Sequence, residues 1–184
     1  MVPIGWVSVV VALALLSLYL RGLAGRLDRL HLRVEAAQVA LDAQLLRRAT
    51  LVAELARSGW LDPATSLLLA DAASGAQHAS AQDRPQAESA LTQSLRTVLD
   101  EPDVIKELAQ IDPGRELLVE LAGASDRVIL ARRFANEAVR QTTEVRARWL
   151  VRALRLGGHA AMPTGFEMDD APSRGLARFP GGAT

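Results

Sequence analysis

Met1 to Leu20 contains no Asp, Glu, Lys or Arg, and that absence constrains the chain more than anything after it. A bilayer core takes roughly 20 predominantly apolar helical residues to cross, and Val2 to Leu20 (VPIGWVSVVVALALLSLYL) supplies that length. Basic residues begin at Arg21 and continue at Arg26, Arg29 and Arg33, with Asp28 the one acid among them. A cleaved secretory signal fits less well. No Lys or Arg precedes the run, the run exceeds an h-region of about 7–15 residues, and Leu-Tyr-Leu-Arg closes it where a small-x-small site belongs. The expectation is a single-pass anchor over 1–20, with Trp6 and Tyr19 near the two interfaces. Lys and Arg beside a span favour the cytoplasm. The N-terminus is therefore expected outside the cell and the domain that follows inside.

What remains after the anchor suffices for one modest domain. The formal net charge is zero, so the molecule as a whole is not built to grip a polyanion. Charge is nevertheless uneven along it. Residues 100–120 carry seven acids against Lys106 and Arg115, whereas 126–155 carry eight Arg against Asp126, Glu137 and Glu144. No Cys is present, which removes disulfides, thiolate chemistry and Cys-based metal centres. The three His (His31, His78, His159) form no ligand-spaced pair, and none falls between 79 and 158 to complete a carboxylate-and-His site of the bundle type. No Gly-rich phosphate loop, nucleophile elbow or Walker sequence occurs. The Arg-rich stretch lacks the interleaved aromatics of a nucleic-acid surface. The reading is no metal, no cofactor, no catalytic residue and no nucleic-acid partner.

Apolar residues recur at helical spacing along most of the chain. Leu27, Leu30, Val34, Ala37, Leu41, Leu45, Ala49, Val52 and Ala56 fall on one face, and Gly59 ends the run as a C-cap. Asp62-Pro63 reads as an N-cap and first-turn proline. The helix it opens has a soft middle at 74–84 (SGAQHASAQDR), where a break or kink is expected before Pro85 and the face Leu91, Leu95, Val98 and Leu99. Pro102 and Pro113 bracket a short helix over Asp103 to Ile111. The last helix carries a line of Leu117, Leu121, Ala124, Val128, Ala131, Ala135, Ala138, Thr142, Val145 and Trp149, spaced alternately by four and three, which predicts a helix–helix seam. Strand patterns are absent outside the anchor. The expected fold is all-α: one transmembrane helix, then over 21–156 a long antiparallel up-and-down helical bundle of three long helices plus a short one. Residues 157–184, with six Gly and three Pro, are expected to form a disordered tail.

Two tandem pairs, Arg47-Arg48 and Arg132-Arg133, and the nearby Arg140 are the candidate partner-binding residues. They either hold an acidic partner or a phosphate, or form a solvated helix edge whose stems cover apolar surface. Asp42 and Gln44, beside the Leu41 and Leu45 face, are either partners of those arginines or exposed.

Residues 34–55, reading V-x-x-A-x-x-x-L-D-x-Q-L-x-R-R-x-x-L-V-x-x-L, resemble the first soluble helix of the LemA family of bacterial membrane-anchored proteins. Glu120-Leu121, Val128, Ala131-Arg132-Arg133 and Asn136-Glu137-Ala138-Val139-Arg140 are similar to that family's later helix, and Phe166-Glu167 with Pro172 to its tail. The chain departs from the pattern at Ala53-Glu54, Ala135, Thr142-Thr143 and Arg148-Trp149, where the family usually has Pro-Asn, two Tyr-Asn pairs and Phe-Pro. The resemblance implies a divergent member with a helical-bundle fold, a short N-terminus outside the cell and no established enzymatic activity. The expected role is a non-catalytic scaffold or interaction module that holds an unknown protein partner at the inner face of the cell membrane. The alternatives are a small-molecule or enzymatic role in an inter-helix pocket, or an envelope-stress or lipid-surface role.

Overall fold

The computed structural model describes residues 4–147 and 162–179, and every regular element among them is helical. Five α-helices follow in order: α1 (Ile4–Arg57), α2 (Pro63–His78), α3 (Arg84–Leu99), α4 (Pro102–Gln110) and α5 (Asp112–Ala147). A single 3-10 turn, Leu176–Arg178, follows near the C-terminus.

No Pro lies between Ile4 and Arg57, and α1 accordingly runs unbroken for 54 residues, about 80 Å at 1.5 Å per residue. Gly59, at φ 76, ends it in the left-handed conformation that spares a Cβ clash. The Asp62 carboxylate then caps α2, accepting from the Ala64 and Thr65 N–H groups at 2.9 and 3.1 Å. The soft stretch after Ser74 is a complete break. α2 stops at His78, α3 starts at Arg84, and the two pack on each other, so one of the three expected long helices is two shorter ones. Nothing in Ala79 to Asp83 offers an aliphatic group to bury, which is why the chain can leave the helix there.

The chain divides into two compact units. The first comprises Met1–Ala37 with Asn136–Gly165. Its buried clusters are small: Leu23 and Leu27 against Val145 with Leu30 beside them, and Val34 against Ala138 and Val139 with Ala37 beside them. One helix here is long and apolar enough to cross a membrane, with a mean hydropathy of 1.6 over its most apolar window and 6% of that window buried.

The second unit, Gln38–Ala135 with Phe166–Thr184, holds the main core. All five helices contribute: Leu51, Val52 and Leu55 from α1, Leu69 and Ala73 from α2, Leu91 and Leu99 from α3, Ile105 and Leu108 from α4, Leu118 and Leu121 from α5. Each such Leu, fully buried, stabilises the fold by about 1.5–3 kcal/mol before entropy is counted. The α5 line predicted from spacing is the buried one. Leu117, Leu121, Ala124, Val128, Ala135, Ala138, Thr142 and Val145 are buried and Ala131 is half-buried, while Trp149 lies outside the described residues. Gly114 permits the tight α4–α5 joint, since a Cβ there would stand 2.6 Å from the Leu108 carbonyl oxygen.

The expectation of a disordered tail over 157–184 is corrected for residues 162–179; the rest of that stretch lies outside the described residues. Leu176 is 4% exposed and belongs to the main core, with Phe179 packed against it. Gly and Pro content signalled irregular backbone, and irregular backbone it is, but one leucine and four polar anchors hold it in place.

Candidate functional site

The five candidate arginines have different fates. Arg48 follows the seam residue Leu45 by three positions, so α1 turns it inward, and it is 3% exposed. Its Nη2 donates to Glu88 Oε2 at 2.7 Å and its Nη1 to Thr92 Oγ1 at 3.1 Å. Glu88 itself is 1% exposed. Burial pushes the Glu88 carboxyl above its usual range, opposed by the charge and hydrogen bond of Arg48. Arg48 therefore faces inward to an internal carboxylate, and the expectation that it contacts a partner is corrected. Arg47, one position earlier, is exposed and pairs with Glu120 of α5.

Arg132 is half-buried and reaches the chain's own C-terminal segment. Its Nε donates to Asp170 Oδ2 at 2.8 Å, and Nη1 stands 3.8 Å from Glu167. Arg133 points outward, with no ion pair among the described residues. Arg140, in the other unit, is exposed and bridges Glu137 at 2.7 Å and Glu144 on its own helix. Its hydrogen bond, with help from Gln141, holds the Glu137 carboxyl down to about 2. Asp42 and Gln44 do serve arginines, though not the tandem ones: Asp42 accepts from Arg84 at 2.9 Å and Gln44 from Arg127 at 3.2 Å.

Residues 166–179 form a strap over the second unit, fastened at four places, of which the sequence patterns singled out Arg132 alone, and that for a partner. Arg96 donates to Asp169 Oδ2 at 2.6 Å, and Ser89 Oγ accepts from the Asp169 N–H at 3.0 Å. Arg132 holds Asp170. At the far end, Asp100 Oδ1 accepts from Ser173 Oγ at 2.7 Å and from the Arg174 N–H at 2.8 Å. Burial raises the Asp100 carboxyl, but Ser173 and the Gly175 and Arg174 N–H groups outweigh it, and the net pKa is lowered. Gly175 is obligatory here, because a Cβ on it would overlap the Leu99 carbonyl oxygen. The spacing Ser173, Gly175, Leu176 (a donor, a missing Cβ, an apolar anchor) was the available signal, and in a Gly-rich stretch it is easily missed.

Between strap and helices lies a cavity of about 250 Å³. Arg48, Thr92, Ser125, Asp126, Asp170 and Ser173 supply its polar lining, and Leu95, Leu176 and Phe179 part of its apolar wall. The Arg48 Nε and Ser125 Oγ are buried without a partner. Such groups call for bridging water or a small polar ligand. Among the described residues no cluster of His, Asp or Glu is arranged to hold a metal ion.

No family model matches the chain, and no curated protein or solved structure matches it either.

Proposed function

We propose that the protein is a membrane-tethered, non-catalytic scaffold of LemA-like, helical-bundle architecture that holds a protein partner at the inner face of the cell membrane. The observation that carries this reading is the exposure of the first part of α1. Trp6, Val10, Leu15 and Leu18 are each more than 60% exposed, within a stretch free of charge. An apolar surface of that length has bilayer as its natural solvent. The arginines that follow favour a cytoplasmic domain.

The up-and-down course is supported by pairings within the second unit. Along α1, Gln44 and Arg47 meet Arg127 and Glu120, a falling order that fits antiparallel α1 and α5. Asp42 and Arg48 meet Arg84 and Glu88, a rising order that fits parallel α1 and α3. The LemA likeness rests on the residues of α1 and α5 themselves. For the partner surface, Leu130, Arg133 and Phe134 are the best placed: they share one face of α5 by their i, i+3, i+4 spacing, and Phe134 is 70% exposed.

A topology experiment tests the reading. Protease added to intact spheroplasts should spare the domain, and membranes should retain it through an alkaline wash. Digestion from outside would overturn the orientation, and release by the wash would overturn the anchor. A second reading, a small polar ligand in the cavity under the strap, is favoured by the unpartnered Arg48 Nε and Ser125 Oγ.

A further inference from the structure

The first unit contains a cleft that its own side chains do not fill. Arg26, Arg29 and Arg33 occupy one face of α1 at i, i+3 and i+7. With Leu30 and Gln141 they line an opening of about 350 Å³. Gln141 is fixed from two sides: its Nε2 donates to Glu137 at 2.7 Å and its Oε1 accepts from Arg33 Nη1 at 3.3 Å. Arg26 and Arg29 have no hydrogen bond or ion pair with any described residue. The nearest acid in sequence, Asp28, stands about 200° around the helix from Arg26 and so off this face.

The unit as a whole amplifies this charge. It carries nine Arg against four acids, a formal net of +5, in a chain whose total is zero. Two of the four acids, Glu137 and Glu144, are already taken by Arg140. No acid occurs in the sequence between Glu144 and Glu167. Three forked guanidinium groups around one small opening match an oxyanion with several acceptors, a phosphate above all.

Depth selects the kind of phosphate. Counting from Arg21, the first charged residue, helix rise puts Arg26 about 8 Å and Arg29 about 12 Å further along. A headgroup layer is about 5–8 Å thick, and an arginine side chain spans most of the remainder. Arg33, about 18 Å along, stays within roughly a Debye length of that layer. We infer that this cleft binds the phosphate of an anionic phospholipid headgroup. The inference rests on the reading of the apolar start of α1 as a bilayer span.

The test uses the full chain in detergent, with bound lipid counted by native mass spectrometry after exposure to phosphatidylglycerol or phosphatidylcholine. Wild type should retain phosphatidylglycerol in preference. The triple variant Arg26→Gln, Arg29→Gln, Arg33→Gln should lose at least about tenfold of that preference, since each arginine near an anionic surface contributes about fivefold. Arg115→Gln, at an exposed position of the other unit, should leave it unchanged. A triple Lys variant keeps the charge without the forked geometry and should recover the preference only in part. Full recovery would replace the cleft with diffuse attraction and overturn the proposal, as would undiminished retention by the Gln variant. Displacement of the lipid by millimolar inorganic phosphate would mark the ligand as a soluble phosphate, overturning the lipid assignment. Flotation with phosphatidylcholine vesicles separates the two readings. Protein that floats but shows no lipid preference sinks the cleft alone, and protein that fails to float sinks the anchor.

Discussion

Arg48 and Glu88 meet at 2.7 Å with almost no solvent on either. A buried pair of this kind gains little over an apolar pair of similar size, yet losing one member strands the other. Glu88→Ala should therefore cost about 3–5 kcal/mol, while Arg48→Met with Glu88→Leu should range from neutral to about 4 kcal/mol more stable. Thr92 does not object to the exchange, because its hydroxyl also donates to the Glu88 carbonyl at 3.0 Å. Urea melts of the single and double variants decide it, and a double variant as weak as the single would mean the pair is net stabilising. Ala135 poses a different question of space. At 3% exposure it lies on the buried line of α5, where a larger side chain forces neighbours off their rotamers. Ala135→Leu should cost about 1–3 kcal/mol, and Arg133→Gln, two positions away and exposed, should stay within about 0.5 kcal/mol. An unchanged urea midpoint for Ala135→Leu would mean the buried face of α5 is misplaced.

Among the elements, the strap has an attachment that depends on pH. The Asp100 carboxyl is lowered in the folded state, so its contribution is present above its unfolded pKa and is lost as pH falls through the folded one. Docking should thus be complete at neutral pH and weaken in acid below the ordinary carboxylate range. Amide hydrogen exchange over residues 166–179 reads this directly, with rates corrected for intrinsic pH dependence. Asp100→Asn keeps an acceptor for Ser173 and the two N–H groups but no titration, and should flatten the acid response of that end. Gly175→Ala supplies the pH-independent control. Its Cβ has no room against the Leu99 carbonyl, so the strap should lift at any pH and its freed backbone become cleavable by trypsin after Arg174 and Arg178. Strap protection that ignores both substitutions would show that the Asp169 and Asp170 fastenings and Leu176 hold the segment without the Asp100 end.

At the scale of the whole molecule, what periodicity encodes was legible beforehand and what single residues encode was not. The buried faces of α1 and α5 follow from spacing alone, since Leu41, Leu45, Ala49 and Val52, like Leu121, Ala124 and Val128, repeat at a helix's own period. The caps at Gly59 and Asp62 were equally readable, because each solves a local backbone problem. The depth of Arg48 was not. Residue type argued for solvent, and only partners forty or more positions away, Glu88 and Thr92, make its burial tolerable. The strap escaped for the same reason, its fastenings joining residues more than seventy positions apart at Asp100–Ser173 and Arg96–Asp169. That separation carries a kinetic meaning. Closing so long a loop costs entropy before any contact returns it, so the strap is placed among the last parts to assemble. Interactions made after the folding barrier slow unfolding without hastening folding. The Ser173 latch on Asp100 is thus a brake on the way out of the native state, setting how long the core stays shut more than how quickly it forms.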